Sequence, residues 1–335
     1  MTRRPSASAF LAAAVLVCLA WLACRPADGA NAGRIDTTEL AQRQARLQQA
    51  LGRVDSSSSD SATAVGQDSV ADTAAANGTK DSAASSTTKD GAIARWILPR
   101  ELDEVSGIAL TSDGRLLAHG DERAQVSEID YRRGVIVKQF VVGRPTVRAD
   151  VEGITVANDV VFMLASNGTL YEFREGANGA RVDYITYDTR LGTACEFEGL
   201  GFDPAINSLL LACKQVEDKR QRDSMVIYRW KLGGGGQRLS RLAVPLSRIL
   251  PAIKQKELHP AEITVDPRTG NYVIVASIEG ALVEITPAGD VVSARKLAGQ
   301  HAQPESIAIT KDGILIIGDE AGKRPAAITL YPWPL

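Results

Sequence analysis

From about residue 93 onwards, short runs of branched apolar residues alternate with turn signals, at the spacing of strands rather than helices. One phrase recurs five times. A Gly or an acidic residue leads into an apolar strand, a turn follows, and a second apolar strand ends in a small or acidic residue. The phrases lie about 45 residues apart, except across one longer gap, and this period of strands and turns predicts a β-propeller. Their leading residues are Ser106, Glu152, Glu198, Ala261 and Glu305.

The number of blades follows from counting strands. The first four repeats each contain four predicted strands, whereas the fifth contains only three, which end at Tyr331. The segment Ile93–Leu98 precedes the first repeat and belongs to no blade of its own. Pairing it with the last blade closes the ring and removes two open edges. The sequence therefore predicts an all-β, five-bladed β-propeller of four-stranded antiparallel blades; a sixth blade requires a repeat hidden around the charged segment Lys214–Asp223, which we predict to be a loop.

The first 92 residues predict export and tethering. Arg3 and Arg4 precede an apolar run from Phe10 to Ala23, which is typical of a signal peptide over residues 1–23. The run ends in a sequence similar to a bacterial lipobox, so Cys24 is predicted to be lipidated; the alternative is an ordinary cleaved signal in which Cys24 is incidental. Residues 24–92 are predicted to be a lipid-anchored, disordered tether with a marginal helix, because they contain few large apolar side chains. Residues 93–335 form the predicted propeller domain.

These features predict an outer-membrane lipoprotein that faces the periplasm or the cell surface. Arg25 follows the cysteine where an inner-membrane lipoprotein usually has Asp. Cys195 and Cys213 lie at neighbouring ends of one predicted hairpin, so a disulfide between them is possible in an oxidising compartment. They form a disulfide, or they remain two buried thiols. The formal net charge of -2 offers no basic surface, so nucleic-acid binding is excluded from the expected functions.

Equivalent positions of the five repeats are expected to converge on one mouth of the central channel. In a propeller the first strand of each blade lines the channel, and the second strand returns to the same rim. Three sets of equivalent positions contain mainly acidic residues. They are the leading residues of the repeats, the residues two positions earlier, and the residues at the ends of the second strands. The predicted mouth residues are Asp121, Asp150, Glu152, Glu196, Glu198, Glu305 and Asp319. Arg148, Lys214 and His259 offset only part of their charge.

Crowded carboxylates in a partly desolvated channel must be protonated or neutralised by a cation. Oxygen ligands that converge without clusters of Cys or His favour Ca²⁺ over zinc or copper. The seven acidic residues are therefore the predicted calcium ligands. The alternative is that they accept backbone N–H bonds at the starts of the blades and hold channel water.

Several short phrases resemble those of the SdiA-regulated β-propeller family. That family repeats Ser-Gly-Ile and Glu-Gly-Ile strand starts and a Ser-Asp-Glu strand end, and the resemblance covers about Leu98 to Tyr331. It implies an exported propeller, in some members with bound calcium. This chain departs from the pattern where Ala261-Glu262 replaces a Glu-Gly or Ser-Gly pair, and where Gly120 replaces a Ser. The matching phrases are Val105-Ser106-Gly107-Ile108, Val151-Glu152-Gly153-Ile154, His119-Gly120-Asp121-Glu122 and Pro304-Glu305-Ser306-Ile307.

Three functions are consistent with this sequence. The first, which the sequence favours, is a tethered, non-catalytic propeller that binds a small molecule or a cell-envelope partner at the acidic mouth, with or without bound calcium. The second is a calcium-dependent hydrolase of lactones or phosphoesters, with Glu152, Glu198 and Glu305 as metal ligands and His259 as general base. The third is a structural scaffold. A salt bridge from Arg148 or Lys214 to the mouth carboxylates would favour the binding protein or the scaffold.

Overall fold

The computed structural model describes residues 90–233 and 238–334. Its strands, in chain order, are β1 (Ala94–Ile97), β2 (Val105–Leu110), β3 (Leu116–Gly120), β4 (Gln125–Asp130), β5 (Val135–Val142), β6 (Val151–Ala157), β7 (Val160–Ala165), β8 (Thr169–Phe173), β9 (Arg181–Val182), β10 (Tyr184–Asp188), β11 (Cys195–Asp203), β12 (Ser208–Val216), β13 (Ser224–Lys231), β14 (Leu239–Pro245), β15 (Pro260–Val265), β16 (Tyr272–Ala276), β17 (Ala281–Ile285), β18 (Val291–Lys296), β19 (Pro304–Ile309), β20 (Ile314–Asp319) and β21 (Ala327–Pro332). The predicted signal peptide, Cys24 and the tether up to residue 89 lie outside the described residues.

These strands form five antiparallel blades around a ring, as the sequence predicts. The inner strands are β2, β6, β11, β15 and β19, and each is followed by the next strands of its own blade. The ring closes where β1 pairs with β21, with Ala94 opposite Leu330, so the predicted closure by the N-terminal strand is confirmed. Residues 217–223 form a loop, but residues 214–216 of the predicted loop instead extend β12. The long connection after β14 contains a 3-10 helix (Leu246–Arg248) and one short helix, α1 (Leu250–Ile253). Within the described ranges this connection adds no sixth blade.

One predicted strand is divided between two blades. The sequence predicts Val182–Tyr187 as the outer strand of the second blade. Instead, β9 runs parallel to β5 of the first blade, and only β10 pairs with β8 of the second. The cause lies at the open edge of β5, because its Val141 N–H needs an acceptor and finds it in the Ala180 carbonyl. None of the described helices is long and apolar enough to cross a membrane.

The hydrophobic core lies between the blades rather than on the ring axis. Side chains alternate across each strand, so every blade presents apolar residues to both neighbours. The described residues form five apolar clusters, one at each interface between blades. Between the first and second blades, for example, Leu117 and Val126 pack with Ile154 and Met163. The axis is therefore left to the edges of the inner strands and to the residues that precede them.

Neighbouring inner strands approach so closely that three positions, Gly153, Gly199 and Gly201, admit only glycine. A Cβ atom on Gly153 would lie 2.8 Å from the backbone nitrogen of Leu200. A Cβ atom on Gly199 would lie 2.9 Å from the Cα of Glu262. Backbone atoms cannot move aside as a flexible side chain can, so these contacts explain why Gly follows the acidic residue in the repeated phrase.

Each inner strand also contains a β-bulge just before this position. Pairing with the second strand skips one residue in every blade, so that one side chain is displaced from the regular alternation. The five bulged residues are Ser106, Glu152, Glu198, Ala261 and Glu305. They are the leading residues of the repeated phrase, so the sequence repeat marks a repeated backbone irregularity.

Candidate functional site

The five bulges place Glu152, Glu198 and Glu305 around one mouth of the channel. Glu198 is 7% exposed, and the other two side chains are partly buried. Glu152 and Glu198 are close enough for their charges to interact, and so are Glu198 and Glu305. The central geometric expectation from the sequence therefore holds for these three carboxyl groups, which come from three different blades. We call them, together with Lys214 and Glu320, the acidic mouth.

A second ring of residues follows the ends of the second strands, and its register differs from the one that the sequence predicted. Val105 pairs with Gly120, whereas Pro304 pairs with Asp319. Glu320, not Asp319, is therefore the counterpart of Asp121. The full ring is Asp121, Ser166, Lys214, Ser277 and Glu320. Aligning the sequence on Cys213 and Asp319 was wrong by one residue in the third and fifth blades, because the hairpins of different blades differ in length and the apolar pattern does not show it.

Asp319 is directed away from this ring and into a buried network. Its carboxylate accepts hydrogen bonds from the His301 imidazole at 2.8 Å and from the Ala302 backbone N–H at 2.9 Å. Arg95, on the closing strand β1, lies 3.5 Å from the same carboxylate. Asp319 is 0% exposed, and these partners make it a link between the N-terminal strand and the last blade.

Lys214 brings a positive charge into the acidic mouth. It is the extra residue of a second bulge, since Glu196 pairs with Gln215 and Phe197 pairs with Cys213. Its Nζ donates a hydrogen bond to Glu198 Oε1 at 2.7 Å. Burial opposes the ammonium charge, but the bond to Glu198 and the charges of Glu198, Glu305 and Glu152 outweigh it and raise the pKa of Lys214. One lysine thus interacts with carboxyl groups from three blades.

One ammonium does not neutralise the surrounding carboxyl groups. Burial, followed by the charges of Asp150 and Glu198, raises the pKa of Glu152 to about 8. Burial and the charge of Glu305 raise the pKa of Glu198 to about 7, although Lys214 acts in the opposite direction. Burial and the charges of Glu305, Asp121 and Glu104 raise the pKa of Glu320 to about 7. Near neutral pH the mouth therefore exchanges protons readily and retains unneutralised negative charge.

The remaining predicted mouth residues form an outer, more exposed rim. The side chains of Asp150 and Glu196 are exposed, and Asp121 is half-buried. The charge of Asp121 raises the pKa of the neighbouring Glu104 carboxyl group. Around the inner ring, Ser277 donates a hydrogen bond to Glu305 at 3.1 Å, and Gln303 donates one to Glu320 at 2.9 Å. Six of the seven predicted residues thus lie in the mouth or on its rim, and Asp319 does not. Sequence reasoning missed Lys214 as a central member and Glu320 altogether.

His259, the predicted general base, is held by another acid. Its backbone N–H and its Nδ1 both donate to the carboxylate of Glu279, at 3.0 and 2.8 Å. Glu257 approaches its second ring nitrogen at 4.0 Å. Arg148 has an exposed side chain. Lys214 therefore supplies the ion pair at the mouth that the sequence analysis associated with a binding protein or a scaffold.

A disulfide stabilises the segment that carries Lys214 and Glu198. Cys195 and Cys213 are bonded, with their Cα atoms 5.6 Å apart. The bridge joins the start of β11 to the residue directly before Lys214. Both bulges of the third blade lie next to it, so the covalent link restricts the backbone on which the ion pair depends.

Glu262 lies at the position that glycine occupies in the first three blades. Its Oε1 accepts hydrogen bonds from the backbone N–H groups of Leu200 and Ile263, and so bridges the inner strands β11 and β15. Its Oε2 is buried, and none of the described residues gives it a hydrogen-bond partner. Burial raises the pKa of Glu262 well above its usual value, despite the two backbone bonds, and so favours the protonated form of this carboxyl group.

The opposite end of the channel is different in character. A cavity of about 780 Å³ opens between the C-terminal halves of the inner strands. Its walls are mainly apolar and include Leu110, Val156, Phe202 and Val265, with Thr155 and Thr264 between them. The ionisable residues of the acidic mouth do not line it.

The predicted calcium ligands do not assemble as a metal site. In the ranges 90–233 and 238–334, no three His, Cys, Asp or Glu side chains are grouped so that they could hold a metal ion. An ammonium group occupies the place among the carboxylates where the prediction put a cation. The residues present thus fit Lys214 better than Ca²⁺, and calcium binding remains a prediction.

Comparisons with known proteins support the fold. No protein-family model and no curated protein sequence matches the chain. Among solved structures, glutaminyl cyclase from Myxococcus xanthus is similar with a TM-score of 0.50 and 12% identity, over 71% of this chain and 94% of that one. A streptogramin B lyase has a TM-score of 0.40 and 17% identity, over 72% and 73%. A PQQ-bound aldose sugar dehydrogenase from Streptomyces coelicolor has a TM-score of 0.45 and 11% identity, over 71% and 98%. At these identities the likeness shows a propeller fold alone.

Replacing Glu262 by Gln should weaken the pH dependence of stability. Because burial raises the pKa of Glu262 in the folded chain, the unfolded chain loses this proton at a lower pH than the folded chain does, so the wild type loses stability as pH rises above about 4.5. The glutamine amide keeps an oxygen for Leu200 and Ile263 but does not titrate. The free energy of unfolding, measured by urea denaturation from pH 5 to pH 8, should fall less steeply in Glu262→Gln, by up to about 1.4 kcal/mol per pH unit. Glu217→Gln, at an exposed position, should parallel the wild type; parallel curves for Glu262→Gln would contradict this assignment.

Proposed function

We propose that this propeller is a binding protein whose acidic mouth binds a cationic group of a small molecule or of a cell-envelope partner. The observation that carries this proposal is the excess of carboxyl groups over positive charge in a partly buried ring. Glu152, Glu198, Glu305 and Glu320 surround a single ammonium, that of Lys214. A second cation would relieve their repulsion, and partial burial strengthens that attraction relative to bulk water.

The mouth is also suited to recognition by its position. Propellers commonly use the channel mouth for ligands, and rigid strands support the residues here. The exposed rim, with Asp150 and Glu196, extends the negative potential outwards and would attract cations from solution. The apolar side chain of Ile278, which is 70% exposed beside Ser277, adds a contact for the uncharged part of a ligand.

Cation binding should be visible as thermal stabilisation of the protein. n-Butylammonium is a suitable probe, because a ligand that binds only the folded state stabilises it, by about 2.7 kcal/mol at 100 times its Kd. The shift should be larger at pH 8.5 than at pH 6, since Glu198 and Glu320, whose pKa values are about 7, then carry their charge. Glu198→Gln should reduce the shift, and Glu217→Gln should not.

The same titration with CaCl2, at matched ionic strength, checks the calcium prediction. A shift with Ca²⁺ alone would favour a metal site, and a shift with neither cation would refute the proposed function. NaCl at equal ionic strength separates specific binding from screening, which is substantial between charges more than about 10 Å apart at 0.1 M salt.

The second candidate is an enzyme at the same mouth. It is favoured by the pKa of Glu152, which is about 8, because a carboxylic acid still protonated at neutral pH can act as a general acid. The calcium-dependent hydrolase that the sequence offered also needs His259 as a base, and that imidazole is bound to Glu279. Hydrolysis of a lactone or phosphoester by the wild type, lost in Glu152→Gln, would favour the enzyme over the binding protein.

We also propose that the propeller is held at a membrane by Cys24, in an exported lipoprotein related to the SdiA-regulated propellers. The support is the sequence alone: a signal-like segment, the lipobox-like end and the low-complexity tether. Labelled palmitate should be incorporated into the full chain in a bacterial host and not into Cys24→Ala. Equal labelling of both chains would contradict the anchor.

A further inference from the structure

We propose that the Lys214 side chain occupies the ligand site of the acidic mouth when no ligand is bound, and that ligand binding displaces this side chain. The ligand group that takes its place is a primary alkylammonium. This inference rests on the proposed function, and it adds the chemical class of the ligand and a device that limits affinity. An amine, a lysine side chain of a partner protein or a polyamine would all present this group.

Lys214 does not match its structural equivalents in the other blades. The other four residues at this position of the ring are acids or serines, namely Asp121, Ser166, Ser277 and Glu320. A β-bulge in β12 places Lys214 there, since the pairing passes from Gln215 to Cys213. The positive charge therefore depends on one backbone irregularity of the third blade.

The ammonium group of Lys214 shows which chemical group the acidic mouth accepts. An unbranched four-carbon stem carries Nζ to within 2.7 Å of Glu198, and its charge interacts with Glu152 and Glu305 on two other blades. An ammonium has three N–H donors and no acceptor, which suits a ring of carboxylates. The site is thus complementary to a primary ammonium on a flexible alkyl chain, and no three of its carboxylates are grouped around a metal position in the described residues.

The Lys214 side chain can move out of the acidic mouth into water. Its side chain is 33% exposed, whereas that of Glu198 is 9% exposed, so the lysine approaches from the solvent side of a fixed carboxyl group. A flexible lysine stem loses side-chain entropy when it is held in one geometry, and that entropy is regained on release. A ligand ammonium would take over the bond to Glu198, while Lys214 moves into water and remains charged.

Displacement has a measurable consequence for affinity. A ligand that must displace an internal group binds more weakly than it would bind to a vacant site. Its apparent Kd equals the intrinsic Kd divided by the fraction of molecules in which the site is vacant. Removing the Lys214 charge should therefore strengthen binding of alkylammonium ions. If instead Lys214 contacted the ligand directly, for example through a ligand carboxylate, its removal would weaken binding.

The test is the Kd of n-butylammonium at pH 8, measured by calorimetry on the full chain. Lys214→Met keeps the length and loses the charge, and it should bind at least about tenfold more tightly than the wild type. Lys219→Met, in the exposed loop that follows β12, is the matched control and should bind as the wild type does. Equal or weaker binding by Lys214→Met would overturn the displacement. Absence of binding by both chains would overturn the proposed function as well.

A second measurement uses the unaltered protein, in case Lys214→Met is unstable. Saturation with the tertiary probe N,N-dimethylbutylammonium, which does not consume an acylating reagent as a primary amine does, should free Lys214 Nζ. Acylation of Lys214 by acetic anhydride, read by mass spectrometry, should then rise several-fold relative to Lys219. An unchanged or lower ratio, with the probe bound, would overturn the displacement.

Discussion

The acidic mouth depends on one backbone feature, the β-bulge that begins each inner strand. Five inner strands pack so closely around the axis that backbone atoms approach within van der Waals contact at Gly153 and Gly199. Little side-chain volume fits between them at that level. The bulge displaces the preceding residue from the interface between blades, and in three blades this residue is a glutamate. The sterics of a small ring therefore dictate where the charge is placed.

Electrostatic consequences follow from that placement. Glutamates on different blades cannot separate without breaking the ring, so their repulsion is met by protonation and by Lys214. One position further along the fourth inner strand, the buried carboxyl group of Glu262 bridges β11 and β15, and its burial raises its pKa. The disulfide between Cys195 and Cys213 links the strands at the point where Lys214 and Glu198 leave regular pairing. Stability and the proposed ligand binding thus share one set of ionisable groups.

Much of this arrangement could be predicted from the sequence, because the repeat records the packing. The five starts, the closure by residues 93–98 and the convergence of Glu152, Glu198 and Glu305 all follow from the period and from strand geometry. The register at the ends of the second strands could not be predicted, since the hairpins of different blades differ in length without a change in the apolar pattern. Alignment by residue type therefore placed Asp319 at the mouth, where the structure has Glu320. The role of Glu262 was hidden for another reason: only the neighbouring backbone shows which N–H groups its carboxyl group meets.

The most direct test of this account is the titration of individual glutamate side chains in the folded protein. With ¹³C-labelled glutamate and the single variants Glu152→Gln and Glu198→Gln for assignment, NMR from pH 4 to pH 9 reports the pKa of each mouth carboxyl group. The account predicts that Glu152 titrates near 8 and Glu198 near 7, because both are partly buried beside like charges. Titration of both groups near 4.5, as in water, would contradict the convergence of these residues on one desolvated mouth.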